Sequence, residues 1–209
     1  MAGTEKKAVF LDRDGTVNIE KAYLYKAEDF VFERGAIDGL RRIKALGYLL
    51  IVVTNQSGIA RGFYTEEDLA LLNAWLMAET KALGCGLDAL YYCPHHPDEG
   101  IPPYRRECDC RKPKTGMIDR AVAAFGIDRA ASYLVGDKRS DLQTALNADL
   151  APILVRTGYG RETEAGLAIA GDAPREVSVF DTLRDFADWL EKRRASAPAE
   201  IFPEKAKKG

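Results

Sequence analysis

Short apolar runs alternate with stretches of helical periodicity along almost the whole chain, and this alternation restricts the fold more than any other feature. Ala8 to Leu11 is an apolar run ending at Asp12, the pattern of a buried strand. Ile37, Leu40, Ile43 and Leu46 then recur three apart and predict a helix stopped by Gly47. A second buried strand is expected over Tyr48 to Val53. Thr65 and Asp68 resemble a capping box that opens a helix through Leu69, Leu72, Leu76 and Leu83. The pattern continues with strand Leu87 to Tyr92, helix Met117 to Phe125, strand Ser132 to Val135, helix Ser140 to Asn147 and strand Pro152 to Val155. A weak strand, Glu176 to Val179, and a helix from Asp181 to Arg194, N-capped by Asp181, complete the series. Such a series predicts an α/β fold, a Rossmann-like parallel sheet with helices on both faces.

No Pro/Gly/Ser-rich linker divides the 209 residues, so one domain with an insertion is expected, ending near residue 194. Residues 195–209 lack periodicity and are expected to be a flexible tail. Thirty Lys and Arg against 32 Asp and Glu leave a net charge of −2, which argues against nucleic-acid and anionic-membrane partners. The strongest apolar run, Tyr48 to Val53, is far short of the roughly 20 residues needed to cross a bilayer. The first seven residues carry no signal-peptide core, so a cytoplasmic protein is expected.

In a parallel sheet the ligand lies beyond the carboxyl ends of the strands, and the chemistry-bearing residues follow strands here. Asp12-Arg13-Asp14-Gly15-Thr16 leaves the first strand with two carboxylates that repel unless a hard cation such as Mg²⁺ lies between them. Gly15 permits a sharp turn, which the Thr16 side chain is expected to hold. Gly136-Asp137 follows another buried strand; Asp137 completes a carboxylate cage, with Asp141 in support. Thr54, Asn55, Gln56 and Ser57 offer donors for phosphate oxygens, and Arg111 and Lys112 add positive charge. Cys93, His95, Cys108 and Cys110 have the spacing of a closed tetrahedral Zn²⁺ site, which would staple the loop of residues 93–110. A Cys93–Cys108 disulfide and idle thiols are the alternatives, and His96 is a second choice for the imidazole. Cys85 reads as a small buried or loop residue.

Asp12-Arg13-Asp14-Gly15-Thr16-Val17, Thr54-Asn55-Gln56-Ser57, Lys112 and Gly136-Asp137, in this order, resemble the four motifs of the haloacid-dehalogenase (HAD) superfamily of phosphatases. The strings Thr54 to Gly62, Tyr91 to Pro97 and Cys108 to Pro113 narrow the resemblance to its heptose-bisphosphate phosphatases, from about Ala8 to Arg194. That resemblance implies a Mg²⁺-dependent sugar-bisphosphate phosphatase without a large cap domain. It would remove the 7-phosphate of D-glycero-D-manno-heptose 1,7-bisphosphate through an aspartyl phosphate and so serve ADP-heptose supply. Histidinol phosphate is the alternative substrate. A phosphate-binding module without turnover is the reading from another class, and the presence of both Asp12 and Asp14 speaks against it.

By the same resemblance Asp12 is the nucleophile and Asp14 the general acid and base. Asp12, the backbone carbonyl of Asp14, and Asp137 would hold Mg²⁺, while Thr54 and Lys112 would steady the phosphoryl group. Lys112 is preferred to Lys114 for that role. Glu20, Lys21, Ala22 and Tyr23 align with a substrate-contacting loop, in which relatives usually read His-Gly-Tyr at Lys21-Ala22-Tyr23. Asn55, Gln56, Ser57, Arg111 and Lys138 complete the expected contacts. Arg61 is either a further contact or an exposed structural arginine. The expected partner is a small sugar phosphate, and a monomer is expected.

Overall fold

Six parallel strands are laid side by side in the computed structural model, which describes residues 6–170 and 177–196. They are β1 (Ala8–Leu11), β2 (Leu49–Asn55), β3 (Ala89–Cys93), β4 (Tyr133–Gly136), β5 (Ala151–Val155) and β6 (Ser178–Phe180). Their order is β3-β2-β1-β4-β5-β6. From β1 the chain winds outward through β2 and β3, then returns to place β4 on the other side of β1. The strand order therefore reverses between β1 and β4, where an open α/β sheet forms a crevice at its carboxyl edge. Leu11 is in register with Val52 on one side and Val135 on the other, so Asp12, Thr54 and Asp137 leave the sheet near one another.

The helices are α1 (Ala36–Ala45), α2 (Glu66–Ala82), α3 (Gly116–Phe125), α4 (Arg139–Asn147), α5 (Gly160–Ala170) and α6 (Leu183–Ala195). Alternate residues of a strand point to opposite faces, and β1 sorts accordingly. Val9 and Leu11 join Leu40 and Ile43 of α1, Leu72 and Leu76 of α2, and Phe186 and Leu190 of α6. Ala8 and Phe10 join Met117, Ile118 and Ala121 of α3 and Ala145 of α4. All four β1 side chains are wholly buried. Burying a residue of this kind is worth about 1.5–3 kcal/mol, so the central strand is firmly seated between its helix layers.

The expected elements are present with shifted ends. Strand β2 runs on to Asn55 and β3 through Cys93, carrying the site residues on rigid backbone. Thr65 and Asp68 make the capping box of α2. The N-cap of α6 is Thr182 and not Asp181: the Thr182 side chain accepts from Asp185 N, while Asp181 pairs with Arg156 at 2.9 Å. Helix α5 was not foreshadowed, because its sequence holds Gly166 in its interior and lacks a regular apolar stripe. Helix α6 continues to Ala195 with Ser196 as its C-cap; residues 197–209 and Glu176 lie outside the described residues. No helix among the described residues is long and apolar enough to cross a membrane.

Candidate active site

The chain turns sharply after β1. Asp12 N donates to Val135 O at 2.9 Å, which ties the strand end to β4. Gly15 has φ +86°, and a Cβ there would collide with the Asp137 carboxylate, so both the conformation and the close approach require glycine. The turn is held by Gly15 N to Asn18 O at 2.7 Å and Val17 N to Arg13 O at 2.8 Å. Thr16 does not hold it as expected. Its hydroxyl is buried without a hydrogen-bond partner, and a threonine from far along the chain, Thr157, donates its hydroxyl to Gly15 O at 2.6 Å.

Carboxylate oxygens of Asp12, Asp137 and Asp141 lie within 4.8 Å of one another, all buried. Asp137 Oδ2 accepts from Tyr159 N at 2.8 Å, whereas its buried Oδ1 has no hydrogen-bond partner. Burial and then the Asp12 charge push the Asp137 carboxyl up to about 8, against the pull of Lys138. Lys112 Nζ lies 2.9 Å from Asp12 Oδ1 and 2.5 Å from Asp141 Oδ1. Asp141 Oδ2 accepts from Lys138 N at 3.0 Å. Burial raises the Asp141 carboxyl against the attraction of Lys112. Three buried carboxylates against one buried ammonium, with one oxygen orphaned, fit a hard divalent cation held by oxygen. The Asp14 side chain is not in this group.

Asp14 is instead surrounded by donors. It accepts from Arg13 Nε at 3.2 Å, Asn18 Nδ2 at 3.0 Å and Gln56 Nε2 at 2.9 Å. Burial raises its pKa, but the Arg13 charge and these hydrogen bonds outweigh it and leave the carboxyl below its ordinary value. Arg13 is wholly buried and also donates to Leu24 O at 2.8 Å. Gln56 is fully engaged: its amide group donates to Asp14 and to Thr54 Oγ1, and its oxygen accepts from Arg13 and from Tyr64 at 2.5 Å. Arg13, Asn18 and Tyr64 were missed in the sequence. Arg13 lies inside the first motif and Asn18 directly after it, and an arginine between two aspartates was the available signal.

One cavity of about 390 Å³ gathers Asp12, Asp14, Glu20, Ala22, Tyr23, Thr54, Asn55, Gln56, Ser57, Lys112 and Lys138, joined by the unanticipated Tyr64, Ser140 and Tyr159. Lys138 Nζ pairs with Glu20 at 2.9 Å and lies 5.0 Å from the Tyr159 ring centre. Burial lowers the Lys138 pKa, but Asp12, Asp137 and Glu20 raise it beyond its ordinary value. Two expected contacts are absent from the lining. Lys21 Nζ reaches back to Asp29 O at 2.6 Å, and Arg111 donates to His95 O at 3.1 Å, inside the cysteine loop. Asn55 is spent on backbone: Oδ1 accepts from Lys112 N at 3.0 Å and Nδ2 donates to Lys112 O at 3.2 Å. Lys114 pairs with Glu107 outside the cavity, and Arg61 pairs with Glu99.

Cys93 at the end of β3 meets the other three groups of its motif. The Sγ atoms of Cys93 and Cys110 lie 3.5 and 3.4 Å from that of Cys108, and 3.8 and 3.4 Å from His95 Nδ1. Tetrahedral Zn²⁺ with bonds of about 2.3 Å to sulfur separates neighbouring ligands by about 3.7 Å, so the donor set fits. The cysteines are free, and a disulfide would need sulfurs about 2.05 Å apart. His96 Nδ1 faces away and accepts from Glu99 N at 3.0 Å. Cys85 is buried in the core beneath α1 and α2.

A profile described as HAD-hydrolase-like matches residues 109–186. A D-glycero-beta-D-manno-heptose-1,7-bisphosphate 7-phosphatase of Salmonella typhi is 48% identical over 195 residues, 93% of this chain and 94% of the relative. The protein of the same name from Escherichia coli K12 is 47% identical over 191 residues, 91% of this chain and 96% of the relative. The crystal structure of D,D-heptose 1.7-bisphosphate phosphatase from B. bronchiseptica, complexed with magnesium and phosphate, superimposes with a TM-score of 0.78 at 33% identity. That alignment covers 90% of this chain and 99% of the other.

Proposed function

We infer this protein's reaction from one premise: the chain belongs to the D-glycero-D-manno-heptose-1,7-bisphosphate 7-phosphatase family of HAD phosphatases, and is a phosphoric monoester hydrolase. The proposed reaction removes the 7-phosphate of heptose 1,7-bisphosphate, a step that would supply ADP-heptose in the cytoplasm. The observation that carries the chemistry is the orientation of Asp12. Arg13 N at 2.8 Å and Lys112 Nζ at 2.9 Å both engage Oδ1, which leaves Oδ2 as the oxygen to attack phosphorus.

Asp12 Oδ2 forms the new P–O bond while the bond from phosphorus to the sugar O7 breaks. Asp14 delivers a proton to the departing O7, then takes one from the water that attacks the aspartyl phosphate, releasing inorganic phosphate and restoring Asp12. Asp14 is ionised in the free protein, so its proton arrives with the substrate; a monoester whose second ionisation is near pH ~6 can carry it in. Thr54 Oγ1 and Lys112 Nζ supply donors for the equatorial oxygens, where the transition-state charge lies. Asp12, Asp137 and the backbone carbonyl of Asp14 would hold Mg²⁺. When bound, that ion offsets the negative charge that the carboxylates and the phosphate share. Cys93, His95, Cys108 and Cys110 would hold a structural Zn²⁺ that fixes the loop leading into Lys112.

The histidinol-phosphate alternative is not favoured, since the curated relatives above are named for the heptose substrate. Phosphate release from heptose 1,7-bisphosphate, histidinol phosphate and fructose 1,6-bisphosphate tests the reading. The heptose should be turned over with by far the highest kcat/KM; a preference for histidinol phosphate would overturn it.

A further inference from the structure

The opposite edge of the sheet carries a second cavity, of about 210 Å³, lined by Lys7, Tyr48, Tyr133, Arg193 and Arg194 with two leucines. Lys7 precedes β1, Tyr48 precedes β2 and Tyr133 opens β4, so this cavity lies at the amino ends of the strands whose carboxyl ends bear the active site. Three cations converge on it and, among the described residues, no carboxylate lines it. Among the described residues none of the three forms an ion pair, although Arg42, Arg129 and Arg156 are each paired with carboxylates elsewhere on the surface.

Two of the cations are held on aromatic rings. Lys7 Nζ sits 4.1 Å from the Tyr48 ring centre and the Arg193 guanidinium 5.1 Å from that of Trp189. Tyr48 and Trp189 both pack edge-on against Tyr133, at 6.0 and 6.1 Å. The rings form one frame that keeps like charges together. Burial first, and then the Arg194 charge, lower the Lys7 pKa. Cations in the last turn of α6 answer the helix dipole. The dipole does not explain why a lysine from another element joins them across a cavity.

We propose that this cavity binds a compact multivalent oxyanion, of the size of phosphate, pyrophosphate or a small phosphate monoester. Lys7, Arg193 and Arg194 supply the charge, and the Tyr48 and Tyr133 hydroxyls supply neutral donors. Burial and the Tyr133 contact push the Tyr48 phenol up to about 12, so it stays protonated while the ligand binds. The site is separate from the catalytic cavity and does not depend on the proposed substrate.

Trp189 lies beside the site and reports on it. The full chain, in magnesium-free and chelator-free buffer at low salt, is titrated with pyrophosphate while tryptophan fluorescence is followed. A saturable change is expected, and Trp189→Phe should remove it. The double variant Arg193→Ala/Arg194→Ala should weaken the apparent affinity by about tenfold or more, since it removes two of the three charges that line the cavity. Both arginines are exposed, so the variant should fold and retain its phosphatase kcat/KM. No saturable change at millimolar pyrophosphate, a change that persists in Trp189→Phe, or one whose midpoint is the same in the double variant overturns the proposal.

Discussion

The carboxylate cluster and the cysteine cluster hold mutually repelling groups together by different means. Asp12 follows β1, Asp137 follows the neighbouring β4 and Asp141 lies in the first turn of α4, and Lys112 partly neutralises them. Asp12 lines the catalytic cavity, and Asp137 behind it keeps a buried oxygen without a hydrogen-bond partner. Cys93 ends β3 while His95, Cys108 and Cys110 follow in the loop that leaves it, and ligand atoms of all four lie within 4.8 Å of one another. A cluster assembled by the sheet stays in place when its ion leaves, because buried strands hold it. One assembled by a loop relies on the ion itself. The first arrangement suits an ion that meets substrate, the second an ion that fastens backbone.

Breaking the carboxylate side should have the largest effect. Asp12→Asn removes the attacking oxygen and a cation ligand, so phosphate release should become undetectable. Asp14→Asn keeps the shape and the backbone carbonyl, so kcat should fall by about 10² to 10⁴ while substrate still binds. Quenched reactions of this variant with an aryl phosphate should show phosphate on Asp12 by mass spectrometry. Phosphate on another residue would mean that the nucleophile is misassigned.

On the cysteine side, metal analysis should find about one zinc per chain. Mild chelation should abolish activity that Mg²⁺ alone restores, with zinc retained; loss of zinc from Cys108→Ser should lower Tm as well as activity. Equal loss of both metals under mild chelation would erase the distinction between the clusters. Asn55 joins the two regions through its paired hydrogen bonds to the Lys112 backbone. Asn55→Ala should reduce kcat/KM by about tenfold, as expected for losing about 1–2 kcal/mol of positioning, with zinc content unchanged.

The smallest effect concerns pH. Without a divalent cation, Asp137 titrates at about 8 in the native state, above the ordinary value of 3.8. Between those values the native protein holds a proton that the unfolded chain has lost, so stability falls as pH rises through the window. Tm of the metal-free protein should be a few degrees lower at pH 8 than at pH 5, and Mg²⁺ should recover more at the higher pH. Asp137→Asn should flatten the slope; a slope that persists in this variant belongs to other groups.

The parallel sheet was legible because strand and helix periods alternate so plainly, and the cysteine cluster because its four ligands fall within 18 residues of sequence. Helix α5 was not, since a sequence with Gly166 inside and no regular apolar stripe leaves little pattern. The fates of Arg111, Asn55 and Gln56 were also hidden. All three have polar ends suited to a phosphate, and only their neighbours show that Arg111 serves His95 O, Asn55 the Lys112 backbone and Gln56 the Asp14 carboxylate.

The sequence by itself determined which chemistry is present: two aspartates after a buried strand, a lysine, a further aspartate and a zinc-type ligand set. Local spacing carries that information, because strand ends and loop ligands are set by near neighbours along the chain. Only the tertiary structure decided which of the polar groups remain free to meet a substrate. A buried hydrogen-bonding group must find a partner, and the nearest partner is chosen by packing between elements far apart in sequence. Thus Asp12 keeps one oxygen clear while Gln56 spends both ends on its neighbours, a division that depends on β1, β2 and β4 meeting at one edge.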